Sequence, residues 1–377
     1  MRTKICYPDY KNSLLNLTNT LLKHYGVRTK VSPLPILQKA LKRPHKNVVL
    51  MILDGMGIDM LQHNLAPSSF FRRNIKSTLS SVFPPTTTAA TTTYYCGLSP
   101  VEHGWLGWSP YFKDRDLVIE MFTDLDYYTG KPTGANIAKQ MAYVHIFDRI
   151  KAVNSHLKAT EIFPSSIRKD GADNFDQFCT KIKQQTQQKG KQFILAYWGE
   201  PDHTSHEVGP YSANIKQLLK EFDKKVKELC AELEDTLVII SADHGHIENK
   251  KEIVINDYPD FMDCLEAPLS LDTRAYAIFL KPGKEKTFVQ LFKRYFAKDF
   301  ILMKSKEALS SHLFGVGKPH PRVKDMLGDY LMIATKGTSL VQRFPNDVYH
   351  HLVGIHAGLT NKEMLIPLII IEKGERS

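Results

Sequence analysis

Three short runs of the chain are almost wholly apolar: VVLMIL at 48–53, FILAYW at 193–198 and TLVIIS at 236–241. Unbroken apolar runs of this length, each bounded by turn residues, predict strands buried on both faces. Between the second and third runs the period changes. Ile215, Leu218, Leu219, Phe222 and Val226 recur at helical spacing and predict a long amphipathic helix over about 211–233. Further helices are expected from about Ile58, over Thr86–Tyr95, around Asn136–Val153 and around Asn174–Gln187. The stretch Ser81–Pro85 reads as extended, and its Pro-Pro suits the approach to a helix start, where a missing N–H costs nothing. Residues 265–345 read as an inserted unit. It holds a strand at Arg274–Leu280, a helix at Lys286–Phe296, a short strand at Phe300–Met303, a helix at Lys306–Phe314 and a strand at Tyr330–Thr335. A last strand is expected at Ile366–Ile371. Buried strands alternating with amphipathic helices predict an α/β fold, with a mainly parallel central sheet flanked by helices and topped by inserted cap elements. The whole of 1–377 is read as one catalytic domain, with 265–345 as its α/β cap.

Each of the three apolar runs ends at an acidic residue. Asp54 follows the first, Asp202 follows the second after Gly-Glu-Pro, and Asp243 with His244 follows the third after one alanine. In an open α/β sheet, ligands sit outside the carboxyl ends of the strands. Three carboxylates delivered there from three strands point to one shared cation site. His206 stands four residues after Asp202, and His356 lies between glycines in a late loop, GIHAG. Each of these signals alone has a plainer reading as a turn, a cap or a surface residue, and only their combination carries weight. A set of nitrogen and oxygen ligands suits two divalent ions, zinc or manganese. Two such ions can clamp the attacking and leaving oxygens of an in-line phosphoryl transfer. The segment FPPTTTAATTT places Thr87 at a helix start, where the first-turn N–H groups suit a phosphoryl oxygen and a nearby cation can stabilise an alkoxide. The competing reading makes Thr86 or Thr88 a simple cap.

Composition narrows the classes. The chain has 377 residues and is 42% hydrophobic, enough for one large α/β core with an insertion. No apolar run approaches the ~20 residues of a membrane span. The early segment MRTKICYPDYKNSLLNL lacks a continuous apolar stretch and is read as neither a leader nor an anchor, so no membrane association is expected. Five scattered cysteines without a CxxC argue against a disulfide framework or thiolate zinc site and point to the cytoplasm. The net charge of +10 has a plain reading as a generally basic surface and a sharper one as attraction of a small anionic substrate, while the absence of any nucleic-acid-binding motif argues against specific nucleic-acid recognition.

The ordered segments VVLMILDGMG, SVFPPTTTAATTTYYCGLSPVEHGW, YWGEPDHTSHEVGP, VIISADHGH and GIHAGLTNKEMLIPLII resemble the alkaline phosphatase superfamily. The resemblance is to its type I phosphodiesterase/nucleotide pyrophosphatase branch, and the segments run from about residue 48 to 371. It implies that Asp54, Asp243 and His244 hold one metal, which also contacts the nucleophile. It implies that Asp202, His206 and His356 hold the second. Thr87, ten positions before Gly97, takes the nucleophile's place, and the implied mechanism is a double displacement through a phospho-threonine.

Two departures from the family pattern stand out. The family's Asn a few residues after His-Gly is absent, since His103-Gly104 is followed by Trp105-Leu106-Gly107-Trp108. Asp243-His244-Gly245 is followed by His246 where an apolar residue is usual; it reads as a supporting histidine rather than a further ligand. Trp105, Trp108 and Tyr111 are candidates for a platform under a flat leaving group or for packing beneath the cap, and Arg274 is a candidate phosphate contact. The expected activity is hydrolysis of phosphodiester or pyrophosphate bonds. The alternatives are a phosphomonoesterase, phosphonate hydrolase or phosphomutase on the same fold, or a non-catalytic phospholigand-binding protein. A sulfatase would need a CxPxR-type segment, which is lacking.

Overall fold

The computed structural model describes residues 2–374, and the chain divides into two units. Among the described residues, one unit, here the sheet unit, comprises 9–81, 144–246 and 365–374; the other, the insert unit, comprises 2–8, 82–143 and 247–364.

The sheet unit is built on six strands, numbered in chain order: β1 (Asn47–Leu53), β2 (Ile75–Ser80), β3 (Lys158–Ile162), β4 (Gln192–Trp198), β5 (Thr236–Ser241) and β6 (Leu365–Lys373). Their order across the sheet is β2-β6-β5-β1-β4-β3. The pairs β1–β4, β1–β5 and β3–β4 are parallel, and β6 runs antiparallel to both β2 and β5. Every residue of β1 and β5 is buried, as expected for central strands covered on both faces. The helix Ala213–Glu232 turns Ile215, Leu219, Phe222, Val226 and Leu229 inward. Phe175, at the start of the helix Phe175–Thr186, stacks on Phe222 with ring centroids 4.0 Å apart.

β2 and β3 were not visible in the pattern. Both lie at the ends of the sheet order, and their mixed sequences IKSTLS and KATEI lack a continuous apolar run because an edge strand is only half covered. The helix Leu14–His24 was also hidden. It buries Asn16, Thr18, Asn19 and Thr20 among its leucines, and their side chains turn back onto helix carbonyls or the local cap, which blurs the apolar stripe.

The helix expected around Asn136–Val153 is two short helices, Ile137–Gln140 and Ile146–Lys151. His145 caps the second, its Nδ1 accepting from the Phe147 N–H at 3.2 Å, and the two helices belong to different units. The helix expected over Lys306–Phe314 is Ser305–Ser310; His312 takes a positive φ of 60° just beyond its end.

The insert unit contains the four strands Ser270–Leu271, Ala275–Ile278, Tyr330–Ala334 and Phe300–Lys304, adjacent in that order and antiparallel throughout. Alternate residues serve two cores. Tyr276, Ile278, Met332 and Ala334 pack with Phe261, Phe288, Phe292 and Phe296. Ala275, Ala277, Leu331 and Ile333 pack with Phe83, Leu106, Phe112 and Phe314. This is the period-2 consequence of a pleated sheet covered on both sides. Residues 265–345 all fall in this unit, together with 82–143.

Candidate active site

The turns after β1, β4 and β5 converge in the sheet unit. Parallel neighbours bring their carboxyl ends to one edge, and Asp54, Asp202 and Asp243 each lie just past one. Backbone bonds lock these turns together. The Asp54 N–H donates to the Trp198 carbonyl and the Asp202 N–H donates to the Asp54 carbonyl, both at 3.0 Å. The Asp243 Oδ1 accepts from the N–H groups of Gly55 at 3.0 Å and His244 at 2.9 Å. Gly55 has φ of +71°, and a Cβ there would lie 2.8 Å from the His246 ring and 3.1 Å from the Asp202 Cα, so no larger residue fits this crossing.

Asp54, Asp243 and His244 form one cluster, with donor atoms within 4.8 Å of one another. His244 Nε2 is 3.4 Å from Asp54 Oδ1 and 3.4 Å from Asp243 Oδ2. Those two carboxylate oxygens are buried and have no hydrogen-bond partner among the described residues. Two orphaned anionic oxygens around an imidazole nitrogen fit a divalent cation, because a buried carboxylate oxygen without a partner is otherwise costly. Burial pushes the Asp54 carboxyl well above the usual carboxylate range, and Asp243 and Asp202 add to the push; Tyr197 opposes it by donating its hydroxyl to Asp54 Oδ2. A bound cation would reverse that logic and hold Asp54 ionised.

The second cluster forms on the helix Asp202–Val208. Positions four apart share a helix face, so Asp202 and His206 point the same way, with His206 Nε2 3.3 Å from Asp202 Oδ2. His246 Nε2 lies 2.6 Å from Asp202 Oδ1. Asp202, His206 and His246 offer donor atoms within 4.8 Å of one another. Burial opposes ionisation of Asp202, but His206 and then His246 outweigh it and hold its carboxyl well below the usual range. Burial pushes the His246 ring down to about 4, so this imidazole is neutral and able to bind a cation at ordinary pH. His246 thus stands with the ligand candidates as well as against Asp202. Its position after Asp-His-Gly was the available signal. The two clusters adjoin: His244 Nε2 is 3.8 Å from Asp202 Oδ1.

Thr87 and His356 belong to the insert unit. The helix Thr87–Cys96 starts after Thr86, whose side chain makes no capping bond among the described residues, and ends at Gly97, which takes a left-handed conformation. From Ser81 to Tyr94, Thr87 alone is not buried, while Thr86 and Thr88 are fully buried. His356 Nδ1 lies 3.2 Å from the Pro85 carbonyl, and the Ala357 N–H donates to the same oxygen at 3.1 Å. The His356 loop is thereby tied to the residue two positions before Thr87. Donation from Nδ1 sets the tautomer with the lone pair on Nε2, the usual arrangement of a ligating histidine.

Arg274 is not a phosphate contact. It is fully buried, its Nε donates to Glu363 Oε1 at 2.6 Å, and its other nitrogens donate to the Thr338 and Lys336 carbonyls at 2.6 and 2.7 Å. Glu363 in turn accepts from the Gly358 N–H at 2.7 Å, so the pair anchors the loop carrying His356. Trp105 is buried with its indole N–H on the Met141 carbonyl at 2.8 Å, and Tyr111 is buried with its hydroxyl on Asp116 at 2.6 Å. Both therefore pack rather than form an open platform. Trp108 is half-buried against the exposed ring of Phe122.

Residues 48–356 match the sequence pattern of the type I phosphodiesterase/nucleotide pyrophosphatase family, and the chain belongs to that family, within the alkaline phosphatase superfamily. Among characterised relatives, the bis(5'-adenosyl)-triphosphatase ENPP4 of Bos taurus is 38% identical over 71 residues, 17% of this chain and 16% of that protein. Its Xenopus laevis counterpart is 42% identical over 74 residues, with the same shares. The match thus spans about one sixth of those relatives' length. Murine ectonucleotide pyrophosphatase/phosphodiesterase 5, solved with AMP, has a similar fold with a TM-score of 0.61 at 18% identity, covering 88% of both chains. The phosphonoacetate hydrolase of Sinorhizobium meliloti 1021 gives 0.64 at 14% identity, covering 92% of this chain and 93% of the other. No described helix is long and apolar enough to cross a membrane.

Proposed function

We propose that this chain hydrolyses phosphodiester or nucleotide pyrophosphate bonds, with Thr87 as nucleophile and two divalent ions, zinc or manganese, as cofactors. The observation that carries this is the pair of adjoining clusters in the sheet unit, with the unpartnered oxygens of Asp54 and Asp243 directed at His244. Asp54, Asp243 and His244 would hold one ion. Asp202 and His206 would hold the other, joined by His356 as the family resemblance assigns it and by His246. The ions supply positive charge for an in-line displacement and acidify a nucleophile. Thr87 gives up its hydroxyl proton and attacks phosphorus, the P–O bond to the leaving alcohol or phosphate breaks so that this group departs, and water then cleaves the resulting phospho-threonine to release the phosphate product and restore the hydroxyl. The first-turn N–H groups of its helix face the developing charge on the phosphoryl oxygens. Its partial exposure favours Thr87 over Thr86 and Thr88.

The named activity of the ENPP4 relatives makes bis(5'-adenosyl) triphosphate a natural probe. Residues 265–345 act on this reading as a cap inserted in a single catalytic domain. The five free cysteines support a reducing, cytoplasmic setting. Turnover of bis-p-nitrophenyl phosphate is to be compared with p-nitrophenyl phosphate and phosphonoacetate, using metal-reconstituted protein with Thr87→Ala and EDTA-treated controls. Preferred diester turnover, lost in both controls, is expected. Preferred monoester or phosphonate turnover would replace the diester assignment, and activity surviving in Thr87→Ala would remove the nucleophile.

A further inference from the structure

The strands that carry Asp54, Asp202 and Asp243 at their carboxyl ends converge on a different chemistry at their amino ends. Lys46 immediately precedes β1, Lys191 precedes β4 and Asp235 precedes β5. With Arg43 and His45 they line an open cleft of about 680 Å³. Seven residues of β1 separate this cleft from Asp54, roughly 20 Å at the rise of a parallel strand. The cleft is therefore distinct from the ligand clusters, although the same sheet supports both.

Its charge is lopsided. Arg43 and Lys191 have no ion-pair partner among the described residues, and the Lys46 ammonium touches only the Thr186 carbonyl, at 3.1 Å. Asp235 is the single carboxylate of the lining. The sequence KALKRPHK over 39–46 carries no acid to balance it. Surface cations alone would be ordinary, but the imidazole of His45 is not. Its side chain is only 1% exposed, and neither ring nitrogen has a hydrogen-bond partner among the described residues. Asp235 Oδ1 lies 4.0 Å from His45 Nδ1, beyond hydrogen-bond reach. A buried polar group left without a partner is rare and calls for a ligand or water to satisfy it.

We propose that this cleft is a second anion-binding site, which takes a small phosphate-bearing molecule with Arg43, Lys46 and Lys191 around its oxygens and His45 bonded to it at the base. Arginine and lysine suit the ligand's charge, since guanidinium grips phosphate oxygens in pairs and ammonium acts as a point charge. The seclusion of His45 selects a small ligand. A membrane surface or an extended nucleic acid can reach Arg43 and Lys191 but not a side chain so deeply covered.

The test is calorimetry with inorganic tripolyphosphate on the full, metal-loaded chain in a Thr87→Ala background, so that the probe is not turned over. Two binding events are expected, one at the metals and one in the cleft. Adding Arg43→Gln with Lys191→Gln, two exposed positions whose change leaves the core intact, is expected to weaken the second event at least tenfold and spare the first. The ring carbons of isotopically labelled His45 are expected to shift on saturation in the parent and not in the triple variant. A single event in the parent would overturn the proposal, as would two unchanged events in the variant. Tighter binding of a 20-nucleotide single strand than of tripolyphosphate, sensitive to the same substitutions, would replace the small ligand by an extended polyanion.

Discussion

The two units hold their candidate functional residues in different ways. In the sheet unit, Asp54, Asp202 and Asp243 sit where strands end, and the parallel pairing of β1 with β4 and β5 is enough to bring them together. In the insert unit, Thr87 and His356 are 269 positions apart, and the His356 loop is tied by two hydrogen bonds, from His356 Nδ1 and the Ala357 N–H, to the carbonyl of Pro85, two residues before Thr87. The His356 loop is held further by the Arg274–Glu363 pair, fully buried on both sides. Strand geometry is robust to single side-chain changes, whereas a loop hung on a buried ion pair is not. Substitutions in the sheet unit should therefore remove metal or chemistry with little loss of fold, and substitutions in the insert unit should cost stability first.

Four predictions sharpen or break that contrast, in order of expected effect. Thr87→Ala should lower turnover by about 10³-fold or more, as removal of a covalent nucleophile does, while both metals remain bound. Metal analysis alongside rates checks this, and loss of metal with activity would show that Thr87 acts through the fold. Next, Arg274→Ala should destabilise the chain by about 3–5 kcal/mol, because it leaves Glu363 buried and unpaired. Denaturant unfolding reads this effect directly. An unchanged midpoint would mean that the insert unit does not depend on its buried pair.

His246→Gln comes third. It should weaken metal binding by about 10–100-fold, whether His246 binds the ion itself or orients Asp202, with little change in unfolding free energy. Titration with a competing chelator measures it, and a purely structural histidine would instead move the unfolding midpoint.

The smallest effect concerns pH and lies in the insert unit. The Trp105 N–H donates to His103 Nδ1 at 3.0 Å, and the other ring nitrogen faces Thr93 Oγ1 at 3.1 Å. Burial pushes this ring down to about 3, with a small upward pull from Ala89 and a downward push from His320. The unfolded chain takes up a proton near pH 6.5 and the folded chain does not until about pH 3. The contribution of His103 to stability is therefore complete above pH 6.5 and is lost progressively as the pH falls toward 3, at about 1.4 kcal/mol per unit. Stability curves of wild type and His103→Asn between pH 7 and 5 should converge at the lower pH. Parallel curves would exclude this ring as the source.

Much of the candidate site in the sheet unit was legible because its signals are local. A run such as TLVIIS must be buried, a buried parallel strand must end at the ligand-bearing edge, and the acid that follows is delivered there. The helix Ala213–Glu232 was equally plain, since its apolar period is carried by one continuous segment. The edge strands β2 and β3 were hidden because half-covered strands need no apolar run. The helix expected over Asn136–Val153 failed because one apparent period crossed from one unit into the other.

The sequence by itself determined which residues end the central strands, and hence the acids, the histidine four residues after one of them, and the class of chemistry they can perform. Only the tertiary structure decided that Arg274 is a buried anchor and that Trp105 and Tyr111 are packing residues. It alone brought His246 against Asp202 and left His45 covered and unpartnered beside three cations. Those outcomes depend on which distant groups arrive to desolvate or pair a side chain. Local periodicity records the face a residue presents, and not the partner that meets it there.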